Sequence, residues 1–185
     1  RSLNSLIKSI KFLRQRLPEI NIRLIIIDDH SNNENHEKIK KISEQEKSSE
    51  ILSLDQDKYK SIILKQKSAE TFSNLASLLN SFEIGKELGE DLVFFVEDDY
   101  LHFETMLEEM ISSYQRISSQ LSKDIFMCPS DYPYLYMGNE KTNILIGNKR
   151  HWRTIDKSLC TFLTSKTLID KYWYNFKKTC ENRHD

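Results

Sequence analysis

The sequence predicts an α/β fold, a mostly parallel sheet flanked by helices on both faces. Three observations carry this. Helical and strand patterns alternate along the chain, the order that builds parallel sheets from crossover units. A run of five apolar residues, Leu92-Val93-Phe94-Phe95-Val96, stops abruptly in Glu97-Asp98-Asp99. A shorter run, Leu24-Ile25-Ile26-Ile27, stops in Asp28-Asp29. Continuous apolar runs of this kind read as strands buried on both faces. The right-handed crossover sets the carboxyl ends of parallel strands along one edge, where open α/β sheets take their ligands. Both acidic strand ends are therefore expected on that edge.

In chain order, residues 2–17 read as an amphipathic helix with Leu3, Leu6, Ile7, Ile10, Leu13 and Leu17 at helical spacing, ended by Pro18. The strand 22–27 follows, then a charged helix over 34–47 with Asn32 or Asn33 as its cap. Residues 48–58 are polar and read as a loop; 59–64 read as a short strand through Ile62, Ile63 and Leu64. A helix over 69–88 buries Phe72, Leu75, Ala76, Leu79, Phe82 and Ile84, and Gly85 and Gly89 flank its end. After the acidic strand comes a helix over 102–121, then a strand over 124–128 stopped by Pro129. The stretch 129–157 is irregular and aromatic; 159–163 reads as a strand and 166–178 as a last helix. No repeat or low-complexity linker interrupts the 185 residues, which read as one domain.

Apolar residues make up 38% and charged residues 30%, a balance suited to a globular protein with a proper core. The formal net charge of −1 gives no basic excess that would point to nucleic acid. The longest apolar run falls far short of the ~20 residues of a membrane span. No signal-peptide pattern is present, and the expected location is cytoplasmic, extending to the inner face of the membrane. The opening on Arg1, directly before a helix, reads as a fragment. Cys128, Cys160 and Cys180 form no CxxC pair, so they read as reduced residues rather than a zinc site.

Three crowded carboxylates repel one another unless a cation or donor groups stand between them. Glu97, Asp98 and Asp99 suit a hard divalent cation, Mg²⁺ or Mn²⁺. They equally suit a solvated turn before a helix. His30 and His102 follow acidic motifs and read either as metal or phosphate ligands or as solvated and capping residues. Arg150 and Arg153 could hold a diphosphate or edge a strand. Tyr132, Tyr134, Tyr136 and Trp152 could stack on a sugar or fill the core.

The pattern resembles the inverting family-2 glycosyltransferases. Leu24 to Asn32 resembles that family's strand ending in Asp-Asp-x-Ser. Glu87-Leu88-Gly89-Glu90-Asp91 leads into a hydrophobic strand as it does there, and Glu97-Asp98-Asp99 aligns with the Asp-x-Asp motif. A Glu-Asp-Asp form also occurs in some N-glycan glucosaminyltransferases. The match covers residues 1–125, the nucleotide-sugar half; 126–185 would be the acceptor half, and the family's first strand would precede residue 1. Gln-x-x-Arg-Trp is absent, with His151-Trp152-Arg153 a loose echo.

The resemblance implies a GT-A, Rossmann-like fold and a donor of UDP-sugar or GDP-sugar type. It implies a glycan or lipid-linked acceptor, as in enzymes of surface polysaccharide biosynthesis. Asp28 or Asp29 would accept from the base, and Asp99 would bind Mn²⁺ or Mg²⁺. Glu97 and Asp98 would hold ribose hydroxyls or metal-bound water; Arg153 is a candidate nucleotide contact on its own chemistry, as a bidentate diphosphate donor. The family's base is an acid well downstream, for which Asp185 and Asp131 are the candidates; the alternatives are a chain terminus for Asp185 and a turn aspartate beside Pro133 for Asp131.

A phosphoacceptor receiver domain fits less well, because it needs an Asp where the strand 59–64 runs into Leu64-Lys65. A sugar-phosphate nucleotidyltransferase needs a glycine- and basic-rich phosphate loop, which this sequence does not contain. A binding domain that holds a nucleotide sugar or a partner without catalysis remains the non-enzymatic alternative.

Overall fold

The computed structural model describes residues 1–63, 68–138 and 141–181, with the backbone alone for Tyr134 and Leu135. In chain order the elements are α1 (Ser2–Arg16), β1 (Leu24–Asp28), α2 (Asn33–Ser43), β2 (Ser49–Ser53), α3 (Ala69–Leu88), β3 (Leu92–Phe95), α4 (Met106–Leu121), β4 (Ile144–Ile146), β5 (His151–Arg153), β6 (Phe162–Ser165), α5 (Lys166–Lys171) and α6 (Trp173–Glu181). Short 3-10 turns cover Gln56–Tyr59 and Pro133–Tyr136. They form two compact units, each drawn from two chain segments: Arg1–Asn21 with Leu92–Ser165, and Ile22–Asp91 with Lys166–Asp185.

The first unit is built on α1 and α4. Leu6, Ile7, Ile10 and Leu13 recur at helical spacing on α1 and are buried. Ser9, fully buried on the same helix, accepts the Leu107 N–H at 3.1 Å. On α4, Leu107, Met110, Tyr114 and Ile117 face inward. Met110, Tyr114 and Ile117 join Met127 and Leu163 in one core, with Leu92, Phe94, Leu145 and Trp152 packed against it. β3 and β6 pair antiparallel, from Leu92 opposite Ser165 to Phe95 opposite Phe162. β4 and β5 form a hairpin in which Leu145 stands opposite Trp152.

Gly147 begins the hairpin turn, with its N–H on the Arg150 carbonyl at 2.9 Å. A Cβ at this glycine would stand 2.5 Å from the Trp152 ring and closer still to Ser113 Oγ. Gly147→Ala is therefore expected to cost about 2 kcal/mol through overpacking, read as a lower urea midpoint with an unchanged slope.

In the second unit β1 and β2 pair in parallel, Leu24 opposite Ser49 through Asp28 opposite Ser53, joined by α2. Asn32 caps α2 by accepting the Asn35 N–H at 2.9 Å. Ser68 caps α3 in the same way, accepting from Thr71 at 3.1 Å. Ala76, Leu79 and Phe82 are buried on α3, and Phe82 meets Phe176 of α6 edge-on at 4.8 Å between centroids. Tyr59 is fully buried and donates to Glu83 at 2.8 Å; burial and that carboxylate push its hydroxyl up to about 12.

The expected GT-A, Rossmann-like sheet is not what forms. The described residues make three two-stranded sheets, one parallel and two antiparallel. The reason lies in pairing. Periodicity reports which residues are strand-like, but not which strands pair or in which sense. β3 takes the antiparallel β6 as its neighbour, and only β1 and β2 are joined by a parallel crossover. Three local readings change with it. The strand beside β1 is the polar segment Ser49–Ser53, read above as loop, because an edge strand tolerates polar residues. Residues 59–63 form no strand: Tyr59 ends a 3-10 turn, and Asp55 holds that turn by accepting the Asp57 N–H at 3.1 Å. The segment 124–128 is reduced to a bridge from Met127 to Leu163, and the irregular stretch after it contains the hairpin.

Candidate functional site

The first unit carries the main acidic strand end. The ladder between β3 and β6 stops at Phe95 and Phe162, and the chain then turns at Asp98 and Asp99. Thr161, just ahead of β6 and 1% exposed, clamps the turn. Its hydroxyl accepts the Glu97 N–H at 3.0 Å and donates to Glu97 Oε2 at 3.1 Å. Glu97 is thereby half-buried, while Asp98 and Asp99 stay exposed. Burial pushes the Glu97 carboxyl up, and the Asp99 and Asp98 charges add to that against the Thr161 hydrogen bond.

The segment 130–132 is tied to this strand end. Tyr100, the next residue after Asp99, shares a hydrogen bond between hydroxyls with Tyr132. Beside it, Asp131 Oδ1 accepts from Arg153 Nη2 at 3.0 Å and Nε at 3.3 Å, while Tyr136 donates to Oδ2. The Arg153 guanidinium also lies 4.1 Å from the Tyr136 ring centroid. Asp131 and Arg153, singled out separately in the sequence, are thus one ion pair, and both oxygens of the candidate base are engaged.

His102 lies just beyond, and is packed inward. Its ring meets Phe94 edge-on at 6.4 Å, its N–H backbone group donates to Ser5 at 3.0 Å, and burial pushes its imidazole pKa down. Arg150 lies over the Phe103 ring at 5.7 Å. Trp152 belongs to the core edge, with its indole N–H on Ser113 and Glu109. Cys160 neighbours Glu97; burial and that carboxylate push its thiol up to about 11, which keeps it protonated and unreactive.

The second unit carries the other acidic end. Asp28 closes β1, 7% exposed, and its Oδ2 faces His36 Nδ1 at 3.2 Å. Burial raises its pKa, but hydrogen bonds from Ser31 and His36 outweigh burial and hold it below the usual carboxylate range. Asp29 accepts from Gln56 at 2.8 Å and from Ser73, and pairs with His30 at 3.0 Å. His30 holds a left-handed backbone, φ 58°. Asp185 lies outside the described residues.

Comparison with family models, with curated proteins and with solved structures finds no match. The chemistry of the site is taken from its own residues.

Among the described residues, no three His, Cys, Asp or Glu side chains are grouped as a metal cage. The donors at the end of β3 are all hard carboxylate oxygens, two of them open to water. They fit a cation that keeps several waters and takes its other oxygens from a phosphate, the habit of Mg²⁺. Thr161 was not singled out in the sequence, because only the register of β3 on β6 places it beside Glu97. Tyr100 carried a signal in its position directly after the three acids.

Proposed function

We propose that this chain is a metal-dependent glycosyltransferase, moving a sugar from a nucleoside diphosphate donor to a hydroxyl acceptor with inversion. The observation that carries the reading is the end of β3. Two exposed aspartates there follow a glutamate whose carboxyl is pushed up by burial and by those same aspartates. Such crowding favours a bound cation or a hydroxyl donor.

In this reading Asp99 would hold Mg²⁺ or Mn²⁺, and the cation would supply positive charge against the departing diphosphate. Glu97 and Asp98 would hold ribose hydroxyls or metal-bound water. Arg153 contacts the anionic donor and exchanges Asp131 for it. Asp131, released from that pair, takes the proton of the acceptor hydroxyl. Asp28 and Asp29, in the other unit, carry no part of this argument. The pairing of Asp131 with Arg153 and Tyr136 favours one second reading, a domain that binds a nucleotide sugar without transferring it.

Titration of UDP and GDP by calorimetry, with and without Mn²⁺, tests the donor site; release of labelled sugar from the same donors separates transfer from binding. No nucleotide binding by the folded protein would remove both readings.

A further inference from the structure

The turn of the β4–β5 hairpin closes around an anion that the chain itself supplies. α4 buries Glu109 and Ser113 beside Met110 and Tyr114; among the described residues no helix is long and apolar enough to cross a membrane. A carboxylate buried on a helix needs donors in place of water. Asn148, Lys149 and Arg150 each point a backbone N–H at Glu109, Lys149 at 2.7 Å to Oε2 and the other two at 3.2 Å to Oε1. The Ser113 hydroxyl and the Trp152 indole N–H reach the same Oε1. Gly147, having no Cβ, lets the turn approach Ser113 and Trp152 this closely.

Successive backbone N–H groups that converge on one point form a concave anion receptor. Side-chain charge is not what recognises the anion here. The Lys149 ammonium lies 2.7 Å from Glu108, which also pairs with Arg16, and the Arg150 guanidinium lies over the Phe103 ring. Two oxygens are engaged, one by Lys149 and one by the remaining donors, which is the set a carboxylate presents.

We infer that the 148–150 turn, with Ser113 and Trp152, is a carboxylate-binding site in its own right. The tethered Glu109 side chain occupies it, and a free carboxylate of the formate or acetate class takes it when that side chain is removed. The inference stands apart from the glycosyltransferase reading, in which Glu109 has no part. Formate is expected to fit better than acetate, because alanine retains Cβ and leaves room for little more than the carboxyl group.

The test is urea unfolding of the whole chain carrying Glu109→Ala across a formate series, with sodium chloride at equal ionic strength as the control. Above half-saturation, each tenfold rise in formate should raise the folding constant about tenfold. Acetate should act more weakly. Wild type and Glu109→Gln, whose sites are filled by their own side chains, should respond to formate no more than to chloride. In isotope-labelled protein the Trp152 indole N–H resonance, displaced by Glu109→Ala, should return toward its wild-type position with formate, while that of Trp173, in the other unit, stays put. Should the variant be unfolded in buffer, formate should restore its circular dichroism. A Glu109→Ala chain that gains no more from formate than wild type does, whether it starts folded or unfolded, overturns the inference. So does an equal gain in Glu109→Gln, or stabilisation by formate with the Trp152 resonance unmoved.

Discussion

Glu109→Ala is expected to release the β4–β5 hairpin and to destabilise the protein by about 3 kcal/mol. The carboxylate is 5% exposed and faces five donors. The Lys149 N–H reaches Oε2 at 2.7 Å. The Asn148 and Arg150 N–H groups and the Trp152 indole N–H each reach Oε1 at 3.2 Å, and Ser113 donates at 2.8 Å. The turn thus wraps its backbone donors around one charge. Alanine leaves those donors without their acceptor, and only the outer ones can turn to water. The loss should appear in urea unfolding, and hydrogen exchange of residues 144–153 should rise before that of α4.

The same carboxylate gives stability a pH dependence. Burial pushes the Glu109 pKa up, but the hydrogen bonds from Lys149, Ser113 and Trp152 outweigh it and leave the pKa lowered. The unfolded chain therefore binds more protons in the acid range, and stability rises with pH there. The contribution is fully present above the unfolded value, roughly 4.3, and is lost as pH falls through the folded one. Glu109→Gln should flatten the acid limb of the stability curve. The slope it retains would come from the other carboxylates whose pKa values are lowered, Asp28, Asp29 and Glu108 among them.

Asp99→Asn is expected to weaken metal-dependent nucleotide binding by about 100-fold or more, since even groups behind a metal ligand are worth 10- to 100-fold. Asp99 is exposed, so the fold should be unchanged and the thermal midpoint should move little. The amide keeps one oxygen and the side-chain shape but removes the charge that a hydrated cation needs. If the wild type binds UDP only with Mn²⁺ and the variant does not, the end of β3 is the donor site. If both bind equally without metal, the acidic turn is a solvated cap to the region before α4. Glu97→Gln offers an internal comparison: Glu97 is half-buried with one carboxylate oxygen held by Thr161, so its effect on binding should be smaller.

Helices were the legible part of this chain. α1 and α3 follow from apolar spacing and stop signals, and α3 begins and ends where Ser68 and Gly89 place it. β1 and β3 were legible as apolar runs ended by acids. Their partners were not. β2 reads Ser-Glu-Ile-Leu-Ser, and its strand character comes from β1 alone. β4 and β5 are three residues each, too short for alternation to register, although Gly147-Asn148 is a turn signal. The candidate site was legible as a set of residues but not as a set of contacts. Asp131 and Arg153 are far apart in sequence, and nothing in either segment announces their pairing. Glu109 looks like any acid on the polar side of an amphipathic helix, and only the folded turn reveals what it holds.

β1 has a consequence for the protein's behaviour in concentrated solution. Leu24, Ile25, Ile26 and Ile27 are only half-buried, and among the described residues the strand is paired along one edge, by β2. An uncharged strand edge rich in β-branched residues is a template for self-association. The charges at its two ends act as gatekeepers: Arg23, paired with Glu50 at 2.7 Å, and Asp28 with Asp29. Neutralising the aspartates that close β1 is expected to bring the onset of light scattering to lower protein concentration.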